Sequence, residues 1–159
     1  MLDVRNIELS KTRLEKAHRE YEGAVFNKGA GFFDIANNRA YYTVFHSIRA
    51  VLALDGVDFK THGRVIGYFN RHYINTELID RSMSEIMFSA FQSRTGSDYE
   101  DTYKATEEEA EKNVSGAREL LKAIERYIEV RLEAESVQEG AASLDEQCED
   151  VQREEDGLD

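Results

Sequence analysis

The sequence predicts an all-α fold, an antiparallel up-and-down bundle of four main helices plus one short helix. Proline, which interrupts helix interiors, is absent from the 159 residues. Apolar residues recur at spacings of three and four, which is the period of a helix face, and no stretch alternates with the period of two that marks a strand. At 18.2 kDa the chain has the size of one domain.

The first two helices are predicted to lie on either side of a glycine-containing turn. An apolar face predicts a helix from about Ile7 to Asn27, which ends at Lys28–Gly31. A second apolar stripe predicts a helix from Phe33 to Leu54, where Asp55 and Gly56 supply a C-terminal cap. This second helix spans about 33 Å and can run the length of a small bundle.

A short helix and a further long helix are predicted in the middle of the chain. The short helix covers about His62 to Tyr73, and the longer one about Thr76 to Ser93. Both have apolar residues at helical spacing. The turn residues of Arg94–Ser97 are expected to end the longer helix.

The last helix is predicted to begin at Thr106 with a capping box. Thr106 and Glu109 can each satisfy a free amide of the other, and the acidic first turn complements the helix dipole. Apolar residues then mark a buried face as far as Ile128. We therefore expect a bundle over residues 1–131, followed by a separate tail over residues 132–159.

The acidic charge is concentrated in this tail. The formal net charge is −12, and residues 132–159 hold 11 of the 32 acidic residues but only one of the 20 basic ones. A segment so acidic and so poor in large apolar residues is predicted to be disordered; the alternative is an acidic arm that docks on a basic surface. Residues 38–72 carry five Arg and Lys against two Asp, so this part of the domain can host an anion.

The compartment is predicted to be the cytoplasm. Cys148 is the single cysteine, so no disulfide forms within the chain. No window approaches the roughly 18 apolar residues of a membrane span, and Met1–Arg5 does not open a signal peptide. We expect no membrane association.

The first candidate site is a polar stripe on the second helix, formed by Arg39, Tyr42, His46 and Arg49. Their spacings of three, four and three place them within about 80° of arc, turned away from the predicted core stripe. Two guanidinium groups and an imidazole can grip a phosphate or carboxylate, and a tyrosine can stack on a base. The alternative is that these residues form ion pairs and hydrogen bonds to neighbouring helices or to a second subunit.

The second candidate site lies between the last two long helices, where Arg94 is followed by Asp98 and Tyr99. Arg94 can bind a phosphodiester, and Asp98 can orient the side chain of Arg94. The alternative is that Asp98 caps a turn and Tyr99 only packs. No metal and no cofactor is predicted, since the other histidines lack ligand spacing and no nucleotide, nucleophile or zinc motif occurs.

Several segments in order resemble the HEPN domain family (higher eukaryotes and prokaryotes nucleotide-binding). They are Asn38–Leu52, His62–Ile66, Arg94 with Asp98–Asp101, and the closing helix Glu108–Ile128. The resemblance covers about residues 5–130. It implies a helical bundle that usually forms a homodimer and is often encoded beside a small nucleotidyltransferase, as one half of a toxin–antitoxin pair.

Active HEPN proteins are metal-independent ribonucleases whose motif is an Arg, four to six further residues and a His. Arg94 matches the Arg, but Tyr99 stands where the His is expected, and a tyrosine is a poor base at neutral pH. Arg39 and His46 satisfy the spacing at a place that does not fit the order of the family's elements. The resemblance implies that His assists attack by the 2′-hydroxyl and Arg stabilises the phosphorane.

The leading hypothesis is a nucleotide- or RNA-binding HEPN protein that is the partner of a small nucleotidyltransferase, with Arg39, His46, Arg49 and Arg94 lining one cleft. An alternative is a ribonuclease toxin with the degenerate motif from Arg94 to Tyr99, which recruits His46 across a dimer cleft. A further alternative is a non-catalytic structural partner subunit. The nucleotidyltransferase pairing also makes Tyr99 and Tyr103 candidates for accepting a nucleotidyl group.

Overall fold

The computed structural model describes the backbone of residues 1–99 and 104–156 and the side chains of residues 1–94 and 104–144. This part of the chain consists of helices and turns and contains no strand, which confirms the predicted all-α bundle. The helices are α1 (Val4–Gly29), α2 (Phe33–Leu54), α3 (His62–Phe69), α4 (Ser82–Tyr99) and α5 (Glu107–Asp156), and a π-helical turn (Asn70–Ile74) directly follows α3.

The helices α1 and α2 pack against each other as a hairpin. The carboxylate of Asp3 caps α1 by accepting a 2.8 Å hydrogen bond from the backbone N–H of Arg5. Gly31, with a φ of +84°, reverses the chain between the two helices. The bounds of α2 are those predicted, whereas α1 extends beyond the predicted range at both ends.

The central helix of the bundle is α2, which contacts α1, α3 and α4. Because it has neighbours on several sides, polar residues as well as apolar ones are buried along it, including Asn37, Thr43 and Ser47. His46 is only 7% exposed. The prediction that the polar stripe turns away from the core is therefore wrong at His46. The face of α2 opposite its apolar stripe is also covered by neighbouring parts of the bundle.

The predicted short helix from His62 to Tyr73 consists of α3 and the π-helical turn that follows it. The backbone N–H of Asn75 donates to the carbonyl of Asn70 at 2.9 Å, the five-residue step of a π-helix. Phe69 and Tyr73 are buried beside each other. The π-helical turn therefore keeps successive aromatic residues in the core while it changes the helix pitch.

The predicted fourth helix, Thr76 to Ser93, is displaced in the structure. Residues 75–81 form turns, in which Glu77 has a φ of +59°. The carboxylate of Asp80 accepts a 2.8 Å hydrogen bond from the N–H of Ser82, which starts α4 there. At its other end α4 continues past Arg94 to Tyr99, because a glycine such as Gly96 costs a helix only about 1 kcal/mol. Arg94 thus lies on a helix and not in the predicted connection.

The start of α5 confirms the predicted cap, since Thr106 Oγ1 accepts a 3.1 Å hydrogen bond from the N–H of Glu109. α5 approaches α4 closely at Gly116, where an added Cβ would lie 3.2 Å from a methyl group of Ile86. Within α5, the residues buried in the bundle are Ala110, Asn113, Val114, Ala117, Leu120, Leu121 and Ile124.

Contacts divide the chain into two compact units, residues 2–127 and Met1 with residues 128–159. In the second unit the terminal amine of Met1 pairs with Glu135 at 3.4 Å. The structure continues α5 as helix to Asp156, while the predicted boundary at residue 131 and the predicted disorder of the tail stay predictions. Among the described residues, no helix combines the length and the apolar character that crossing a bilayer requires.

Candidate functional site

The side chains of Arg94 and His62 meet although 32 residues separate them in sequence. Nη1 of Arg94 lies 2.6 Å from Nδ1 of His62, and the hydroxyl of Tyr41 lies 2.8 Å from the same nitrogen. A guanidinium group can only donate, so Nδ1 is the acceptor. The imidazole of His62 is consequently neutral and carries its proton on Nε2.

Aromatic rings surround this contact. Phe45 stacks on His62 with ring centroids 4.1 Å apart. The guanidinium carbon of Arg94 lies 4.8 Å from the ring centroid of Tyr41 and 5.4 Å from that of Tyr42. Burial, followed by the positive charges of Arg94 and Arg49, lowers the pKa of His62 below its ordinary value. His62 therefore stays neutral at physiological pH, as its two donors require.

His62 lines a surface pocket of about 490 Å³ between the end of α2 and the start of α3. We call it the α2–α3 pocket, and its lining residues are Phe45, Arg49, Asp58, Phe59, Lys60 and His62. Two cationic side chains, an imidazole with an N–H to donate and two phenyl rings share this wall. Such a wall can bind a phosphate and at the same time contact a base.

Arg49 is held in the pocket wall by a carboxylate and a second arginine. Its Nη2 lies 2.9 Å from Oδ2 of Asp58, and Arg13 donates to that same oxygen at 2.9 Å. Arg13, only 8% exposed, also donates to the backbone carbonyl of Arg49 at 3.0 Å. Although burial alone raises the pKa of Asp58, its bonds to Arg49 and the charge of Arg13 lower it below the ordinary value. Asp58 thus occupies an anion position between two guanidinium groups.

Arg39 and Arg94 both lie beside the ring of Tyr42, and proximity of these two arginines is a condition of the single cleft predicted from sequence. Each guanidinium carbon lies 5.4 Å from the ring centroid of Tyr42, so the two are separated by no more than twice that distance. Arg39 also donates to Glu20 of α1 and to Asn38, both at 2.8 Å. Arg39 thus pairs with the neighbouring helix α1, and Arg49 pairs with Asp58 in the turn after α2. The predicted ligand-binding roles of the two arginines stay predictions.

His46 lies in the core beside the rings of Tyr42 and Phe45. Its Nδ1 is buried and has no hydrogen-bond partner among the described residues. Burial, together with the charges of Lys16, Arg49 and Arg13, lowers its pKa to about 4. The imidazole that the structure brings to Arg94 is that of His62, and the predicted catalytic and binding roles of His46 stay predictions.

The remaining predicted site residues fall outside what the structure describes. The backbone of Asp98 and Tyr99 belongs to α4, but their side chains and the whole of Tyr103 lie outside the described residues. Their predicted roles, in orienting Arg94, in catalysis and as modification sites, stay predictions.

The sequence did not single out His62 as a site residue, because it lacks metal-ligand spacing and the family resemblance gave the segment His62–Ile66 no role. A signal was present: His62 opens a helix two residues after Lys60 and three after Phe59, within the cationic segment 38–72. Among the described residues, no group of three or more His, Cys, Asp and Glu is arranged to hold a metal ion.

Comparison with known proteins matches this chain to one domain family and to several relatives. The family model described as "HEPN domain" matches residues 10–127. "Putative toxin MJ0142" of Methanocaldococcus jannaschii is 29% identical over 115 residues, which cover 72% of this chain and 78% of the relative. A "UPF0332 protein" of Thermotoga maritima is 31% identical over 94 residues, 59% of this chain and 71% of the relative. "Putative toxin MJ0605" of M. jannaschii is 29% identical over 122 residues, 77% of this chain and 85% of the relative.

Proposed function

Because the chain belongs to the HEPN domain family, we propose that it is a toxin-like protein that binds a phosphate of RNA or of a nucleotide in the α2–α3 pocket. Two relatives bear names that call them toxins, which supports the toxin-like role. A homodimer and a small nucleotidyltransferase partner belong to the same proposal and rest on the family resemblance.

The observation that carries the proposal is the arrangement around His62. Arg94 and Tyr41 both contact Nδ1, so the N–H of the neutral His62 is at Nε2, and the His62 side chain lines the pocket. Lys60 adds positive charge on the same wall, where Arg49 is paired with the carboxylate of Asp58. A phosphate oxygen needs N–H donors and positive charge, and this wall provides both.

A binding titration with labelled RNA and with ATP at low salt tests the proposal. His62→Ala should weaken binding of both ligands by roughly tenfold, the effect of losing one charge-assisted hydrogen bond to a phosphate. Arg94→Ala should weaken it as well, because His62 then loses the donor that fixes its proton on Nε2. Arg118→Ala is the matched control, since this exposed arginine lies on α5 and away from the pocket lining. Equal binding by the wild type and all three variants would overturn the proposal.

A second candidate function is metal-independent RNA cleavage, which the contact of Arg94 with His62 favours. An arginine and an imidazole side by side are the groups that cleavage through the 2′-hydroxyl needs. In the described arrangement, however, Nδ1 accepts two hydrogen bonds and Nε2 carries the proton, so no nitrogen of His62 is free to act as a base. The geometry therefore supports binding better than cleavage.

Expression without a partner separates these two functions. A ribonuclease should be toxic to the host and should cleave RNA in the presence of EDTA, and Arg94→Ala, His62→Ala or His46→Ala should relieve both effects. A binding protein should shift RNA in a gel without shortening it. Cleavage that is unchanged in all three variants would contradict these residue assignments.

Solution mass tests the proposed assembly. We expect twice the chain mass for the protein alone and a larger complex after a small nucleotidyltransferase is added. A purely structural partner subunit would form that complex but would show no affinity for RNA or ATP.

A further inference from the structure

A series of three aromatic rings runs from the turn before α3 to the π-helical turn after it. The ring centroids of Phe59 and Tyr68 are 5.3 Å apart, and those of Tyr68 and His72 are 4.1 Å apart. The guanidinium carbon of Arg64 lies 4.8 Å from the centroid of Phe59. We call Phe59, Tyr68 and His72 the aromatic ladder.

The ladder lies on the outer side of this segment. Phe59 and Tyr68 are half-buried and His72 is exposed, whereas Val65 and Phe69 of the same segment are buried. Each ladder ring therefore keeps surface available to a ligand. Rings needed only for the core would be covered, as Phe69 is.

Positive charge accompanies the ladder. Lys60, Arg64 and Arg71 are exposed, and within the described part of the chain none of them forms an ion pair. The two acidic residues of segment 38–72 both have partners. Asp55 accepts a hydrogen bond from Tyr73, and Asp58 pairs with Arg13 and Arg49. This surface therefore attracts a polyanion.

The ladder continues directly from the α2–α3 pocket, because Phe59 and Lys60 line the pocket as well. At the other end, His72 sits in the π-helical turn, a feature often found at functional sites. One surface thus joins a pocket suited to a phosphate with a row of rings and cations.

We infer that the aromatic ladder binds single-stranded RNA by stacking unpaired bases on Tyr68 and His72, beside a phosphate held in the α2–α3 pocket. The inference rests on the proposed function and specifies its substrate. Every base has a face that can stack on an aromatic ring, so this binding tolerates many sequences. A duplex keeps its bases stacked on one another and cannot use the ladder.

The test compares three ligands at low salt: a mononucleotide, a single-stranded RNA of about eight nucleotides and a duplex of the same sequence. Wild-type protein should bind the single strand more tightly than either of the other two. Tyr68→Ala should weaken binding of the single strand by roughly tenfold, the effect of one lost stacking contact, and should leave mononucleotide binding unchanged. Tyr68→Phe retains the ring and should bind like the wild type, which separates stacking from a structural effect.

The outcomes distinguish this inference from the proposed function. If His62→Ala weakens binding of the mononucleotide and the single strand while Tyr68→Ala changes neither, the ladder does not bind RNA and the pocket still does. Such a result would favour a protein partner with an acidic surface as the occupant of the ladder. Equal affinity for single strand and duplex would also overturn the inference. If His62→Ala and Tyr68→Ala both leave all affinities unchanged, the proposed function fails as well.

Discussion

Two regions of the molecule carry the same kinds of side chain, arginine, histidine and tyrosine, in opposite surroundings. On α2, the segment 39–49 places His46 in the core and ties Arg39 to Glu20 of α1. Residues 58–72 hold His62 at a pocket and leave Arg64, Arg71 and His72 exposed. The difference teaches that helical spacing identifies side chains that share a face, whereas access for a ligand depends on what packs over that face.

The largest contrast is expected in stability. Tyr41, 1% exposed, contacts the rings of Phe45 and His62, so Tyr41→Ala should lower the free energy of unfolding by about 4 kcal/mol, as for other large aromatic residues in a core. Tyr68→Ala, on the ladder, should cost about 1 kcal/mol or less. Denaturant titration of both variants measures the difference. Similar losses in the two would remove the proposed division between a structural and a ligand-binding region.

A pH titration of stability tests the burial of His46. The pKa of His46 is lowered from its ordinary value of 6.5 to about 4 in the folded chain. Between pH 4 and pH 6.5 the unfolded chain therefore binds a proton at this residue that the folded chain does not. The free energy of unfolding should therefore fall as pH decreases, by about 1.5 kcal/mol from pH 6.5 to pH 5. The lowered pKa of His62 acts in the same direction. Replacing His46 by Gln should flatten the slope, and an identical slope in that variant would refute the assignment.

RNA affinity separates two arginines of α2, Arg49 at the α2–α3 pocket and Arg39 at the contact with α1. Arg49 lines the pocket, so Arg49→Ala should weaken RNA binding by roughly tenfold and reduce the salt dependence by about one counterion. Arg39 is committed to Glu20 and Asn38, so Arg39→Ala should weaken binding by about twofold at most. The reverse order would place the ligand beside Arg39 and would contradict binding in the α2–α3 pocket.

The smallest expected effect concerns Asp58, whose carboxylate holds the anion position beside Arg49 and Arg13. Asp58→Asn preserves the shape and removes the competing charge, so phosphate or RNA affinity should rise by roughly threefold. Asp80→Asn is the matched control, because Asp80 caps α4 and does not line the pocket. Weaker binding in Asp58→Asn would show that Asp58 positions Arg49 for the ligand and does not compete with it.

Local patterns predicted most of the fold. The bounds of α2 and the cap at Thr106 follow from short-range rules on apolar spacing and on hydrogen bonding at helix ends. The start of α4 was predicted too early because Asp80 was not considered as a cap, and its end was predicted too early because Gly96 was taken as a stop signal. The first error overlooks a local signal, the cap at Asp80, and the second gives too much weight to another, the glycine at position 96.

The candidate site was less predictable because it depends on contacts between distant segments. Arg94 was recognised, but its imidazole neighbour comes from α3, and no periodicity relates His62 to a residue on α4. The burial of His46 likewise requires knowing that α2 has helices on several sides. A single sequence gives the types of these residues, but which of them are in contact depends on tertiary packing.

The π-helical turn Asn70–Ile74 also indicates how this segment can change during evolution. A π-helical turn holds one residue more than an α-helical turn, so removing a single residue there leaves a regular helical turn and keeps the direction of the chain that follows. The change is local to the residues of the turn, among them Tyr73, which contacts Asp55, and His72, which contacts Tyr68. Homologues that lack one residue here should therefore keep the bundle and differ at the outer surface of this segment.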